Sequence, residues 1–435
     1  MVVGTCSHRA KQARTELVDI DSPRALSAHP NWRDWANLTD GPAGKIAERL
    51  LVDDVADYLR FRAVCSQWRR CTESPHVHNY MDSRFHPRRW IMLPWRTLDD
   101  IWKCKRRDFL NVTTGEHIQV DLPELRRQFL FGPTSEGLIM MCDKRTYAIQ
   151  LLNPLTRQLM ALPNASTLLC SLNREDVSWS NRLGRLRMYA AGLADHSSIA
   201  LDFDDYGQVL AMSKPNVTRW SRCAMPGSDP MITTLSFAGR FYGVTKKGVM
   251  VMDLTAAGQR PQLVVAVEMN QDLFLFHRGF VNLVDNDNEL ILVCRTRTKM
   301  PWYKAYLVDL EAGKTVPMNG LHGRAVFLGT GRTLSVPAGL SSSISADTVY
   351  LCRDGDESTD YQPRINAYHL LDGNMEHEFR GDTIVDYLSC YVCGSEDSMV
   401  RAVLDSCASR KRKANPKVIG NEWQLVVLDR SCSSR

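Results

Sequence analysis

The run Leu235-Ser-Phe-Ala-Gly-Arg240-Phe-Tyr-Gly-Val-Thr245-Lys-Lys-Gly-Val-Met250-Val-Met-Asp253 decides the fold. Short apolar runs with period two dominate it, and Lys247-Gly248 punctuates them, which is the pattern of short strands joined by tight turns. A second unit of the same form starts 46 residues later, from Val281 to Asp309-Leu310. Its turns fall at Asp285-Asn-Asp-Asn288 and Ala312-Gly313. A third, further upstream, runs from Leu138 to Asn153-Pro154-Leu155-Thr156. Each holds an apolar strand, a turn, a second strand ending in Asp or Asn, and a closing turn. A period of that size fits one four-stranded blade, and roughly 300 residues at that period make about six blades. Closing blades into a ring protects strand edges. The pattern from about Trp90 onward therefore predicts a β-propeller, with a large β-sandwich as the alternative. Between Gly132 and Tyr350 no strong helical period appears, so parallel βαβ units are not expected.

Composition sets the outer limits. The chain has 435 residues, 44% hydrophobic and 24% charged, with a formal net charge of +5. These values exclude collagen-like, wholly disordered and disulfide-knot classes. No apolar run is long enough for a transmembrane helix, so no membrane partner is expected. The 13 cysteines are scattered from Cys6 to Cys432. The N-terminal residues carry no apolar signal core. Scattered thiols without such a signal read as reduced cysteines of the nucleus or cytoplasm, and the sequons at Asn37, Asn111, Asn164 and Asn216 as chance matches. Cys390 and Cys393 form a Cys-x-x-Cys without a second pair at metal spacing, so they are read as two strand residues and no metal is expected.

Residues 31–75 differ from everything after them. Asp40 can cap a helix and Pro42 suits its first turn. Ile46 and Leu50 fall on one face, Leu51 ends the helix, and Asp53 can cap a second one carrying Val55 and Leu59. A third short helix would carry Val64, Cys65 and Trp68, and Ser74-Pro75 closes the segment. Three short helices make a small core, and this segment holds more large apolar residues than that core needs. The surplus points to a docking face for a partner or to packing on the following domain.

The spacing Trp35, Leu38, Pro42, Ile46, Leu50-Leu51, Asp54-Val55, Leu59, Arg62, Val64-Cys65, Trp68 resembles an F-box. Its most specific part, Leu59-Arg60-Phe61-Arg62-Ala63-Val64-Cys65 with Trp68-Arg69, is typical of plant F-box proteins. The Leu-Pro pair that opens the family's motif stands here as Leu38-Thr39, with the proline at Pro42. The resemblance implies binding to the Skp-type adaptor of a cullin-RING ubiquitin ligase through Trp35, Leu38, Pro42, Ile46, Leu50, Leu51, Val55, Leu59, Val64, Cys65 and Trp68. Downstream, Leu152-Asn-Pro-Leu-Thr-Arg157 with Leu162-Pro163, Phe241-Tyr-Gly-Val-Thr245 with Asp253-Leu254, Leu290-Ile-Leu-Val293 with Arg295, and Val326-Phe-Leu-Gly329 with Ser335 and Tyr350-Leu351 resemble the plant F-box-associated domain of unknown function 295. That family is β-propeller and kelch-like in character, which agrees with the strand pattern.

The expected organisation is a disordered tail over 1–30, an F-box module over 31–75, a linker over 76–90, a propeller-like recognition domain over 91–400, and a C-terminal segment over 401–435. Charge is local. Residues 84–107 hold eight basic side chains against Asp99 and Asp100. Trp90, Trp95 and Trp102 interleave with them, which reads as a seam between domains with tryptophans buried and arginines on the rim. Arg410-Lys-Arg-Lys413 has the form of a nuclear import signal. The helical module holds seven basic and seven acidic residues, which argues against a nucleic-acid reader. No phosphate loop, nucleophile elbow or His-Glu-x-x-His occurs, the histidines are dispersed, and Asp204-Asp205 sits at an expected turn. No cofactor and no catalytic residue are therefore expected. The expected function is a non-catalytic substrate receptor of a Skp-cullin-F-box ubiquitin ligase, whose propeller presents a target protein. A scaffold without any ubiquitination role is the alternative, and an enzyme in the propeller channel a third.

Overall fold

The computed structural model describes residues 35, 38–77, 82–94, 106–126, 128–168, 187–204, 207–224, 231–254, 260–269, 281–296, 302–353 and 364–394. The expected N-terminal tail, Trp95, Trp102 and the Arg410–Lys413 cluster lie outside them.

Six sheets follow one another along the chain. Blade 1 is β1 (Trp90–Met92), β2 (Arg106–Asn111) and β3 (His117–Asp121). Blade 2 is β4 (Gln128–Pro133), β5 (Ile139–Asp143), β6 (Ile149–Leu152) and β7 (Leu159–Leu162). Blade 3 is β8 (Arg187–Asp195), β9 (Ser198–Asp204), β10 (Gln208–Ser213) and β11 (Ser221–Arg222). Blade 4 is β12 (Thr233–Phe237), β13 (Arg240–Thr245), β14 (Gly248–Asp253) and β15 (Gln262–Glu268). Blade 5 is β16 (Val281–Asp285), β17 (Leu290–Arg295), β18 (Tyr303–Asp309) and β19 (Lys314–Met318). Blade 6 is β20 (Arg324–Leu328), β21 (Thr333–Pro337), β22 (Thr348–Arg353), β23 (Arg364–His369) and β24 (Met375–Glu376). Blades 2 to 5 are antiparallel meanders. The fold is thus a six-bladed β-propeller preceded by helices, as the repeat predicts.

Each blade packs its faces on both neighbours, so its middle strands are buried on two sides and read as unbroken apolar runs. All of Leu290–Cys294 in β17 and all of Ser198–Phe203 in β9 are buried. Outer strands such as β3 alternate between exposed and half-buried. Six apolar seams close the ring. They include Phe109 with Ile139, Ile149 with Leu201, Leu210 with Phe241, and Val244 with Leu283. Ile291 with Val326 and Phe327 with Ile91 complete the circuit. Each such side chain contributes about 1.5–3 kcal/mol on leaving water. The β16–β17 turn places both Asp287 and Asn288 at positive φ, as a two-residue hairpin of matching twist requires.

Blade 6 departs from the simple repeat. Its strand order is β21-β20-β22-β23-β24, and β20 and β22 run parallel. A fourth helix, α4 (Thr383–Cys393), packs Val385, Leu388 and Val392 into the seam between blades 6 and 1. Asp382 caps it by accepting from the Ile384 and Val385 amides, and left-handed Gly394 ends it. Cys390 and Cys393 therefore lie on a helix, which corrects their reading as strand residues. The apolar spacing Val385, Leu388, Val392 is helical, and the dipeptide-scale pattern around the cysteines conceals it.

The three N-terminal helices are α1 (Asp40–Asp53), α2 (Val55–Val64) and α3 (Ser66–Arg70). Thr39, not Asp40, occupies the first cap, and α1 continues two residues past Leu51. Asp54, not Asp53, caps α2, its Oδ1 accepting from the Ala56 amide at 2.7 Å. Val64 closes α2, and Cys65 caps α3 by accepting from the Trp68 amide at 3.4 Å. Ala43, Ala47, Val55, Tyr58, Phe61 and Phe85 form the buried core of this unit.

Candidate functional site

Two neighbouring features can bind a partner: the outer face of the helices, and the channel at the centre of the ring. The helices are held rigidly. The Phe61 and Trp68 rings stack at 4.3 Å with an interplanar angle of 18°. Trp68 Nε1 donates to the Trp35 carbonyl at 3.1 Å, and Gln67 Nε2 to the Leu38 carbonyl at 3.1 Å. Arg62 Nη1 donates to the Thr72 and Glu73 carbonyls at 2.8 and 2.6 Å, fastening the chain after α3 back onto α2. The Tyr58 hydroxyl donates to the Glu73 carbonyl at 2.7 Å.

Against this frame the expected docking residues sort into three groups. Trp35, Ile46 and Val64 are exposed at 55%, 40% and 61%, and Pro42 is exposed as well. Leu38, Leu50, Leu51, Leu59, Cys65 and Trp68 are half-buried. Val55 is buried in the unit's own core. Leu51 and Val55 also face the channel side. The helical core draws one residue from beyond residue 90, Leu155. Ile46 is thus open to solvent, while Leu50 and Leu59 are half-buried in the cluster that Leu155 joins.

The helices meet the ring at Asp54. Its carboxylate accepts from Trp90 Nε1 at 2.9 and 3.1 Å and from Asn111 Nδ2 at 2.6 Å. Phe85 and Gln158 add polar ties, the Phe85 carbonyl accepting from Asn153 Nδ2 at 2.8 Å and Gln158 Nε2 donating to the Pro75 carbonyl at 2.6 Å. In this segment Trp90 is buried while Arg84, Arg88 and Arg89 are exposed. Arg107, in contrast, is fully buried and donates to the Leu93 carbonyl at 3.0 Å.

The channel has a volume of about 1310 Å³ and is lined from all six blades, with the α1–α2 corner and the chain from Ser83 to Ile91 at its border. On blade 6, Arg324 donates to the Ser335 side chain at 2.9 Å and pairs with Asp287 at 3.4 Å. Arg332 donates to the Tyr391 carbonyl at 3.1 Å and lies over the Tyr391 ring. Across the ring, two buried acids bridge blades through neighbouring residues of β12. Ser236 Oγ donates to Glu136 Oε1 at 2.5 Å, and the Leu193 amide donates to the same oxygen at 3.1 Å. Thr234 Oγ1 donates to Asp202 Oδ2 at 2.8 Å. Burial, opposed by the hydrogen bonds from Thr234 and Gln208, pushes the Asp202 carboxyl up to about 6. Asp204 behaves as a turn residue, its Oδ1 accepting from the Gly207 amide at 2.9 Å.

Glu136 and Asp202 escaped the reading of the sequence, and Asp54 entered it only as part of the F-box spacing, not as the tie to Trp90 and Asn111. Asp202 leaves one trace there, a lone charge inside the apolar run Ile199-Ala-Leu-Asp202-Phe. Among the described residues no three His, Cys, Asp or Glu side chains converge as metal ligands.

Comparison with known proteins comes to one family. The KIB1-4 beta-propeller model matches residues 109–374. No curated protein matches the chain. Among solved structures, the chain is similar to YCF48 from Cyanidioschyzon merolae, at 12% identity and a TM-score of 0.28, covering 60% of this chain and 71% of that one. It is similar to the Cps50 (Swd1) β-propeller domain of Myceliophteria thermophila at 11% identity and a TM-score of 0.27, covering 64% and 94%. It is similar to virginiamycin B lyase from Staphylococcus aureus at 10% identity and a TM-score of 0.28, covering 62% and 86%.

Proposed function

The chain belongs to the KIB1-4 beta-propeller family, and from that premise we propose that its propeller is the target-binding part of a ubiquitin-ligase receptor whose helices carry an F-box. The propeller supports a protein-binding module. The finer reading is that α1 to α3 dock on a Skp-type adaptor, and through it a cullin, while the ring presents a target protein. Catalysis by this chain would be proximity alone: a ligase-bound ubiquitin donor meets lysines of the target at high effective concentration. Nucleus or cytoplasm is the setting that goes with this role.

One observation carries the reading. Ile46 and Val64 stand exposed at 40% and 61% on a helical unit whose own core is already filled by Val55, Tyr58 and Phe61. An exposed apolar surplus on a unit whose core is already filled favours a partner over internal packing. The test is co-purification of the full-length chain with a Skp-type adaptor. A stoichiometric complex is expected, and Ile46→Asp with Val64→Asp should weaken it at least tenfold while leaving the circular dichroism spectrum unchanged. Absence of a complex, or indifference to the double substitution, overturns the reading.

A second reading has its own support. The contacts of Asp54 with Trp90 and Asn111 fix the helices to blade 1 as a brace would. In that case the chain is a scaffold, and removing residues 1–75 lowers stability without costing any adaptor.

A further inference from the structure

Asp202 is 1% exposed, yet it belongs to the channel wall. Its Oδ2 takes hydrogen bonds from Thr234 Oγ1 at 2.8 Å and Gln208 Nε2 at 3.0 Å. Its Oδ1 has no hydrogen-bond partner among the described residues. Among the described residues, the groups facing it from each packed element are neutral or acidic. Its own strand β9 contributes Asp204, a like charge. Tyr189 on β8 directs its hydroxyl to Asp204 Oδ2 at 3.4 Å. Strand β10 offers the Gln208 amide and β12 the Thr234 hydroxyl. A further buried acid, Glu136, accepts from Ser236, two residues along β12 from Thr234. Among the described residues no lysine or arginine contributes to the shift of Asp202. Six arginines of the described residues line the channel: Arg324 is held by Ser335 and Asp287, Arg332 by the Tyr391 carbonyl and Arg84 by Asp82 and Glu73, while Arg88, Arg89 and Arg353 are exposed, and none of the six is among the groups that shift Asp202.

A buried carboxylate without a cation is costly, so it takes up a proton or waits for a positive ligand. Burial has raised this acid only to about 6, so at neutral pH it stands largely ionised. We propose that Asp202 is the counter-charge for a lysine ammonium or arginine guanidinium that a segment of the bound protein inserts into the channel. This rests on the propeller being a protein-binding module and is independent of adaptor docking. Calcium or magnesium needs six or more oxygen ligands and zinc about four, whereas the wall offers one carboxylate with two neutral groups already engaged, and no three metal-ligating side chains converge among the described residues. An organic cation can pair with a single carboxylate that keeps one oxygen unengaged, which is what Asp202 Oδ1 offers among the described residues. The channel, at about 1310 Å³, has room for an extended segment.

The experiment uses the full-length chain with n-butylammonium chloride as a lysine mimic, n-butanol as its neutral counterpart, and calcium chloride. The readout is the carbon-13 titration midpoint of the Asp202 carboxyl. Saturating n-butylammonium should lower that midpoint by a unit or more, since a cation bound tenfold tighter to the ionised form shifts it by one unit. The same amine should raise the thermal midpoint of the native chain and not that of Asp202→Asn. If Asp202→Asn does not fold, the carbon-13 measurement on the unaltered chain decides alone. An unmoved Asp202 midpoint, an equal shift with n-butanol, or a larger one with calcium overturns the proposal. Loss of adaptor co-purification beside a retained amine shift sinks the ligase reading and leaves this one standing.

Discussion

The indole Nε1 of Trp90 donates to both carboxylate oxygens of Asp54, at 2.9 and 3.1 Å, and so joins the first strand of the ring to the cap of α2. Asn111, at the end of β2, donates to the same carboxylate at 2.6 Å and accepts from the Thr113 and Thr114 amides at 2.9 and 3.1 Å. One side chain thereby sets a helix start, a strand start and a turn in register. The orientation of the three helices against the channel follows from it.

Asp54→Ala should destabilise the chain by about 3 kcal/mol. It removes a helix cap, worth about 1 kcal/mol, and strands two buried donors at about 1–3 kcal/mol each, with the usual shortfall from additivity. Asp54→Asn keeps an acceptor and should lose about half as much. Urea unfolding followed by tryptophan fluorescence measures both. An alanine variant within 0.5 kcal/mol of the parent would show that the tie is ornamental.

The blades that were legible in the sequence share one property. In Leu235–Asp253 and Val281–Asp309, strands of five to seven residues meet at turns whose residues tolerate positive φ, so each hairpin is written locally. Blade 6 hides its order because the β20–β22 pairing is parallel and non-local, and no local pattern encodes which strand lies innermost. The helical face was visible as surplus apolar residues. That Val55 faces inward while Val64 faces out depends on where Phe85 and Leu155 arrive, which spacing along α2 does not encode. Asp202 needed the fold itself, since its partners Thr234 and Gln208 come from a different blade and a different strand.

The same acid gives stability a pH dependence. The folded chain holds the Asp202 proton up to about 6, whereas the unfolded carboxyl releases it near its ordinary 3.8. Between those values the native state binds more protons, so this group's contribution to stability falls as pH rises and levels off above about 6. Asp202→Asn, which cannot ionise, should gain on the parent over that interval by about 1–3 kcal/mol. Urea midpoints at pH 4.5, 5.5 and 7.5 test it. A constant gap between the two proteins across that series refutes the assignment.

Burial pushes the thiols of Cys142, Cys223, Cys294 and Cys352 up to about 12. Only the thiolate is nucleophilic, and at pH 8 a thiol at that value is ionised in roughly one molecule in ten thousand. Iodoacetamide applied to the native chain at pH 8 should leave all four unmodified, and 8 M urea should expose them. Peptide mass mapping reads the outcome, and native labelling of any of the four contradicts the packing of blades 2 to 6.

Gly329 and Gly331 make the last comparison, two positions apart in the turn between β20 and β21. A Cβ at Gly329 would lie 2.1 Å from the Val392 carbonyl oxygen and 2.7 Å from the Cys393 amide, both backbone atoms of α4. One at Gly331 would meet the same helix at 3.7 Å, an ordinary contact. The Gly331 and Arg332 amides donate to the Val392 carbonyl at 3.2 and 3.0 Å, so the turn and the helix end cannot separate without losing both bonds. Gly329→Ala must therefore push α4 off the seam that Val385, Leu388 and Val392 fill with Ile91 and Phe327. A loss of about 2–4 kcal/mol is expected, in the range of other overpacked or vacated cores. Gly331→Ala should stay within 1 kcal/mol of the parent. Hydrogen exchange of the α4 amides separates the two, with protection lost in Gly329→Ala alone. Equal protection in both variants would mean that the helix is not what closes blade 6 onto blade 1.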